Sequence, residues 1–302
     1  MFMSYKILTW NINQAAGRKN PPPALVTKAL TEQKAAVEIL TEFCFCRNQE
    51  QSEKFLQETF TSRGYACYPQ QATQNSLNGQ NEVLIAWDTS CFEFIPHSEF
   101  SAVTTSENNI PNFVSVALKE KSSGNIIRIA GVRITMAMKI TSDSQYQKQA
   151  DLRREQMEYV YQKLDELTDD QTAVLIGGDF NNYRRETPLK HWNIRELTCG
   201  RTEYSACTPD GQSIYEKNQP DLGFQFAEDH FIIKNCQTEN CRYSREFANL
   251  DKNREVYKHG EDFAYGKNPR TKRHAWKLWK YNHGGRYPDH AMLTGELELH
   301  TK

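Results

Sequence analysis

Net charge is almost absent from this sequence: 37 Lys and Arg stand against 38 Asp and Glu, a formal −1 over 302 residues. A global field that draws in polyanions is thereby excluded, and any such affinity must come from a local patch. Long apolar runs are missing too. No stretch supplies the roughly 20 consecutive apolar residues that a helical membrane span needs. The opening MFMSYKILTWNIN lacks both an apolar core of useful length and a small-residue cleavage site, so it reads as a first strand and not as a secretory leader. Fixed-period repeats and low-complexity linkers are absent, and no Pro/Gly/Ser-rich seam divides the chain. One domain over 1–302 is expected. Cysteine is sparse, with eight residues and no dense ladder. Cys44 and Cys46 are too close for a normal bridge, and Cys236 and Cys241 flank a polar loop without a partner pair at zinc-ribbon spacing. Reduced, mostly buried thiols in a cytoplasmic protein are the expectation.

What is present is a polar but foldable composition: 38% hydrophobic, 25% charged and 11% aromatic, with apolar runs that disordered chains lack. Strands are expected at Lys6–Ile12, Ala35–Phe43, Val83–Trp87, Phe92–Ile95, Phe113–Leu118, Ile126–Ile134, Ala173–Gly177, Phe231–Lys234 and Ala291–Leu299. Asp88 to Cys91 reads as one hairpin turn and Ser122 to Asn125 as another. Pro21-Pro22-Pro23 opens a helix over Ala24–Gln33, since proline is tolerated in a first turn. Further helices are expected at Gln51–Ser62 and Tyr146–Leu167, the latter with Met157, Val160, Tyr161, Leu164 and Leu167 on one stripe. Strands outnumber helices and the helices fall between sheet segments. This predicts an α+β, four-layer α/β sandwich: two packed, mainly antiparallel sheets flanked by helices.

Polar residues collect at the ends of the apolar strands. Asn11 and Asn13 follow ILTW, Glu42 closes VEILT, Asp179 and Asn181 follow VLIGG, and Asp289-His290 precedes AMLTG. Loops leaving a rigid sheet are where ligand sites tend to lie. Taken singly, each segment is ordinary: Glu42 could be a strand-end charge, Asp179-Phe180-Asn181 a turn, Asp289-His290 a surface pair.

In order, LTWNIN, ILTEF, GGDFNN, EDHFII and PDHAML resemble the signature segments of the endonuclease/exonuclease/phosphatase (deoxyribonuclease-I-like) superfamily, from residue 6 to residue 299. The resemblance implies a magnesium-dependent phosphodiesterase, with manganese as an alternative ion. It implies metal binding by Glu42 and Asp289, and an Asn11 that contacts phosphate and supports the metal. It makes Asp179 the residue that positions and activates the attacking water, Asn181 a stabiliser of charge at phosphorus, and Asp229 the acid that orients His290. The chemistry is consistent with the residue types. Magnesium takes hard oxygen ligands and keeps waters, so one or two carboxylates suffice. A carboxylate and an oriented histidine can handle the protons. Asn13 is placed among the substrate-contacting residues. In AGVRI, Arg133 stands where many members carry a histidine or tyrosine facing the phosphate. It reads either as a guanidinium clamp for phosphate oxygens or as an exposed arginine on a sheet edge. His230 is expected on the face opposite Asp229, and His191, His259, His274 and His283 are expected in solvent.

An insertion at about 236–287 carries an unusual composition. Between Lys252 and Arg286, ten Lys and Arg face three Asp and Glu, with Tyr257, Phe263, Tyr265, Trp276, Trp279 and Tyr281 interleaved and Tyr287 directly after. Basic groups pair with backbone phosphates and aromatic faces stack on unpaired bases. Lys272, Arg273, Trp276 and Trp279 are therefore expected to bind substrate, and nucleic acid is the expected substrate class. A basic surface over a small local aromatic core is the bland alternative. The other enzymatic reading is a phosphatase or phospholipase-type enzyme acting on a small-molecule or lipid phosphoester, and the non-enzymatic one is a silent scaffold that binds a partner. No membrane association and no obligate protein partner are expected.

Overall fold

Two parallel strand pairs form the spine of the protein, each joined through a helix. In the computed structural model, residues 3–12, 24–43, 49–70, 82–105, 108–134, 143–181, 197–207, 229–244, 290 and 292–299 are described. The first pair is β1 (Ser4–Asn11) and β2 (Val37–Phe43), with α1 (Ala24–Gln33) between them in sequence. The second is β8 (Ile126–Arg133) and β9 (Ala173–Asp179), with α3 (Asp143–Leu167) between them. Parallel pairing needs a crossover of a dozen or more residues, which both connections supply. The remaining elements are α2 (Gln49–Thr59), β3 (Tyr65–Pro69), β4 (Glu82–Asp88), β5 (Phe92–Phe94), β6 (Phe100–Ala102), β7 (Asn112–Glu120), β10 (Ser205–Cys207), β11 (Asp229–Lys234), β12 (Cys236–Ser244) and β13 (Met292–Leu299). They extend each pair by antiparallel pairing into sheets ordered β12-β13-β1-β2-β4-β3 and β10-β11-β9-β8-β7-β5, with β6 also on β7.

The sheets pack face to face through one set of alternating residues. Ile7, Ile39, Val83, Ile85, Val114, Ile129, Leu175 and Phe231 belong to a single buried cluster. Each such side chain contributes about 1.5–3 kcal/mol by leaving water. Two glycines let the sheets touch: a Cβ on Gly131 would lie 2.4 Å from Val83 Cγ1, and one on Gly177 would lie 2.7 Å from Ile39 Cδ1. On the outer face of the second sheet, α3 lays down Met157, Val160, Tyr161 and Leu164 against Ala130, Val132, Val174 and Ile176. Leu167, the last residue of the expected stripe, is only half-buried. Val26, Ala29 and Leu30 of α1 and Phe55 of α2 join the first-sheet cluster. The result is the four-layer sandwich of two mainly antiparallel sheets.

Several local expectations are corrected. Asp88 to Cys91 does form a tight turn, closed by Ser90 N donating to Asp88 Oδ1 at 2.7 Å. It does not close a hairpin, because β4 pairs with β2 and β3 while β5 pairs with β7 of the other sheet. The chain uses the turn to cross between layers. The Ser122 to Asn125 hairpin joins β7 and β8 as expected, with Gly124 at φ 79°. Cys236 and Cys241 do not flank a loop; both lie in β12, whose pairing with β13 breaks at a bulge between Glu239 and Arg242. Among the described cysteines only Cys236 is buried, and Cys67, Cys91, Cys199, Cys207 and Cys241 are partly exposed. Cys44 and Cys46 lie outside the described residues, as does the basic aromatic stretch from Lys252 to Arg286. No helix among the described residues is long and apolar enough to cross a membrane.

Candidate functional site

The carboxyl ends of the two parallel pairs open on the same side of the sandwich, and their last residues are polar. Side chains alternate between sheet faces with a period of two. Gly131 and Gly177 face the opposing sheet, so Arg133 and Asp179, two residues further along β8 and β9, face it as well. These two are register partners, and Asp229 at the start of β11 pairs with Asp179 from the other side. Asn11, the last residue of β1, shares the inward face of Ile7 and Thr9. His290 enters from the segment leading into β13, which runs antiparallel to β1.

Glu42 reaches this mouth by a different device. Regular alternation would give it the outer face of β2 that Leu40 occupies. The β2–β4 register breaks between Leu40 and Phe43, and Glu42 adopts φ 56°. A bulge of this kind re-aims a side chain, and a left-handed non-glycine residue costs about 1–3 kcal/mol unless its surroundings enforce it. Here the carboxylate turns toward the other sheet and accepts a hydrogen bond from an Arg133 Nη at 2.8 Å. Arg133 is buried, which overturns the exposed sheet-edge reading, and its Nε lies 3.8 Å from Asp179 Oδ2.

Asp179 is held by three donors: Asn11 Nδ2 to Oδ2 at 3.0 Å, Asn181 Nδ2 to Oδ2 at 3.1 Å, and Asn181 N to Oδ1 at 2.9 Å. Asn181 sits at φ 44°, a conformation asparagine tolerates, and its Nδ2 also donates to Ile134 O at 2.8 Å. The other dyad is His290 Nδ1 to Asp229 Oδ2 at 2.7 Å, which leaves Nε2 directed toward Asn11 Nδ2 at 3.4 Å. His230 lies on the opposite face of β11, buried against the Phe180 ring at 5.6 Å.

Three supporting residues escaped sequence reading. Arg153 of α3 is buried and donates to Asn181 O at 3.0 Å. Trp10 Nε1 donates to His290 O at 2.9 Å, and Tyr243 OH donates to Asp229 O at 2.6 Å. Arg153 carried a usable signal, because counting back four residues from Met157 continues the apolar stripe onto a charged side chain. Trp10 and Tyr243 carried none, being aromatic residues in strands.

Asn11, Glu42, Arg133, Asp179, Asn181, Asp229 and His290 are thus brought together. Asn13, Asp289, Lys272, Arg273, Trp276 and Trp279 lie outside the described residues. Among the described residues no group of three His, Cys, Asp or Glu side chains is arranged to hold a metal ion. Among the described residues, the anionic donors at the mouth are carboxylate oxygens, with no thiolate. That chemistry fits magnesium or manganese, which need only one or two carboxylates and water, and not a closed zinc site.

No family profile and no curated protein matches the chain. Solved structures do. D. rerio TDP2 complexed with a single-strand DNA product is 12% identical, with 97% of this chain and 98% of that chain covered at a TM-score of 0.55. An endonuclease/exonuclease/phosphatase family protein from Bacteroides thetaiotaomicron is 12% identical, with 99% of each covered at a TM-score of 0.58. A mannosyl-6-phosphatase from the same organism is 12% identical, with 97% and 99% covered at 0.55. The chain has the endonuclease/exonuclease/phosphatase fold. Within that fold the polar cluster occupies the mouth between the sheets, and nearly the full length of each matched chain takes part in the likeness.

Proposed function

We propose that the chain is a magnesium- or manganese-dependent phosphodiesterase, and within that class a nuclease acting on DNA or RNA. The observation that carries the proposal is the convergence of two separately oriented proton-handling groups, Asp179 and His290, beside Glu42 and Arg133 at one mouth. Among the described residues, three carboxylates and one guanidinium meet at that mouth, and by themselves they are a poor host for a phosphate anion. Glu42, together with Asp289, would hold the divalent ion, which when bound neutralises charge on the phosphoryl group and polarises one of its oxygens. Asp179 then orients a water and takes its proton. His290, kept in one orientation by Asp229, presents Nε2 to the transition-state oxygens. Arg133 clamps a phosphate oxygen and cannot act as an acid near neutral pH. Asn181 directs its amide hydrogens to Ile134 O and Asp179, so in this reading it positions Asp179 instead of meeting the substrate.

Nucleic acid is favoured by the basic, aromatic Lys252–Arg286 segment that leads in sequence to Asp289-His290. The DNA product bound to a TDP2 of like fold supports the same choice, while the mannosyl-6-phosphatase of like fold favours the small-molecule phosphoester reading. A cytoplasmic setting remains part of the proposal. The test is cleavage of plasmid, single-stranded DNA, RNA and a generic phosphodiester with magnesium, manganese or chelator. Metal-dependent cleavage of a nucleic acid is expected, and folded protein inert on every substrate would leave only a binding scaffold. A gel-shift comparison with a Lys267–Lys280 deletion tests the segment, and equal binding by both proteins would remove it from the account.

A further inference from the structure

Outside the mouth, the edge strands of the two sheets bring cysteines together. Cys207 ends β10 and pairs in register with Phe231, so it shares the inward face of that residue. Cys241 sits opposite Gly295 in the β12 bulge, where Asn240 takes φ 50° and donates through Nδ2 to Glu296 Oε2 at 3.1 Å. The bulge turns the Cys241 thiol inward: a Cβ on Gly295 would lie 2.9 Å from Cys241 Sγ and 3.4 Å from the Phe231 ring. The absent side chain of Gly295 thus leaves the space in which the two edges meet. Cys207 Sγ lies 2.6 Å from Thr238 Oγ1 of β12 and is hydrogen-bonded with the Cys241 thiol. Both cysteines are partly exposed and belong to opposite sheets.

We infer that Cys207 and Cys241 are a peroxide-oxidisable pair that forms a disulfide across the edges of the two sheets. Cys207 is the attacking group. Its hydrogen bond with Cys241, assisted by Thr238 and opposed by burial, holds its thiol below the ordinary range and raises the thiolate fraction. The neighbouring Cys236 is a poor competitor: it is buried, donates to Val174 O at 3.3 Å, and burial pushes it up to about 12. In the first step the Cys207 thiolate attacks one peroxide oxygen. The O–O bond breaks, a sulfenic acid forms, and hydroxide leaves to become water. In the second step the Cys241 sulfur attacks the sulfenic sulfur, the S–O bond breaks, and the hydroxyl leaves with the Cys241 proton as a second water. Two thiols lose two electrons in all, and hydrogen peroxide takes them.

The test treats full-length protein with hydrogen peroxide, alkylates the remaining thiols, and maps non-reduced peptides by mass spectrometry. A linked pair containing Cys207 and Cys241 is expected, two mass units lighter than the sum of the free peptides and split by reductant. The link should persist in Cys236→Ser and vanish in both Cys207→Ser and Cys241→Ser. The bridge closes a loop of about 34 residues, so oxidised wild type should melt roughly 5–10 °C higher than reduced. Should either serine variant fold poorly, rates of thiol alkylation in the wild type decide: Cys207 should react at least about tenfold faster than Cys236. Peroxide that leaves both thiols free, bridges other cysteines, or drives Cys207 to sulfinic acid without a link would overturn the inference.

Discussion

Gly178 offers a sharp test of how the sheet presents its polar edge. It stands at φ 149°, and an added Cβ would lie 1.9 Å from Val132 O, 2.8 Å from Val132 C and 3.0 Å from Val132 N. Even a close carbon–oxygen contact is about 3.3 Å, so in Gly178→Ala β8 or β9 must retreat by more than about 1 Å. No flexible side chain can absorb this, because the obstacle is backbone. Overpacking costs about 1–3 kcal/mol and the disfavoured φ about 1–3 more, giving roughly 2–6 in all. At about 2–4 °C per kcal/mol, the melting midpoint should fall by around 10 °C. The next residue is Asp179, whose backbone O accepts from Ile134 N at 2.9 Å and which pairs in register with Arg133. Turnover should therefore fall together with stability. Gly64→Ala is the control, since Gly64 also has a positive φ, 80°, but meets nothing within 4 Å of the added Cβ. It should lose only about 1 kcal/mol. Thermal and urea melts followed by circular dichroism measure both. A Gly178→Ala midpoint within about 2 °C of wild type would refute the close β8–β9 approach.

Asp229→Asn should leave the fold intact and lower turnover about 10²–10⁴-fold, because the neutral amide no longer fixes the His290 tautomer; a turnover assay showing wild-type rates would contradict this. Arg153→Met should destabilise the protein by about 1–3 kcal/mol in urea melts by leaving Asn181 O without its buried donor, and it should depress kcat more than it raises KM; an effect on KM alone would place Arg153 outside the support of Asp179. Glu38 is fully buried beside Arg63, and burial outweighs that attraction, lifting its carboxyl from 4.5 to about 8. The folded state therefore keeps a proton that the unfolded state has lost between those values, so Glu38 subtracts stability as pH rises through that window and adds no further slope above it. Urea midpoints at pH 5 and pH 8 should show wild type losing on the order of 1 kcal/mol or more relative to Glu38→Gln, and parallel pH profiles would refute the assignment.

The sequence was most legible where a local pattern and the tertiary environment agree. KILTWN and AVLIGGD are apolar because both strands are central, and their polar last residues, Asn11 and Asp179, mark where the apolar run reaches the mouth between the sheets. The stripe of α3 was plain for the same reason. Of the edge strands, β5 was visible, whereas β3, β10 and β12 were not. Thr238, Glu239 and Asn240 of β12 carry no apolar alternation, and β10 is three residues long. The β4–β5 error arose because a turn sequence specifies a change of direction and not which sheet the next strand joins. Within the site, the strand-end residues could be found from sequence. The bulge that swings Glu42 onto Arg133 could not, since nothing in ILTEF distinguishes it from regular strand. Arg153 was hidden differently: a charge at a core position is easily taken for a solvated helix face.

Under the proposed function, Asp179 performs proton chemistry on a phosphodiester at this mouth. Initial rates of wild type and Asp179→Asn on whichever nucleic acid is cleaved, each with magnesium and with chelator, test it directly. The asparagine variant is expected to remain folded and to fall in rate by at least about 10³-fold, near the chelated wild-type rate. A folded variant that cleaves within a few-fold of wild type would show that the chemistry resides elsewhere.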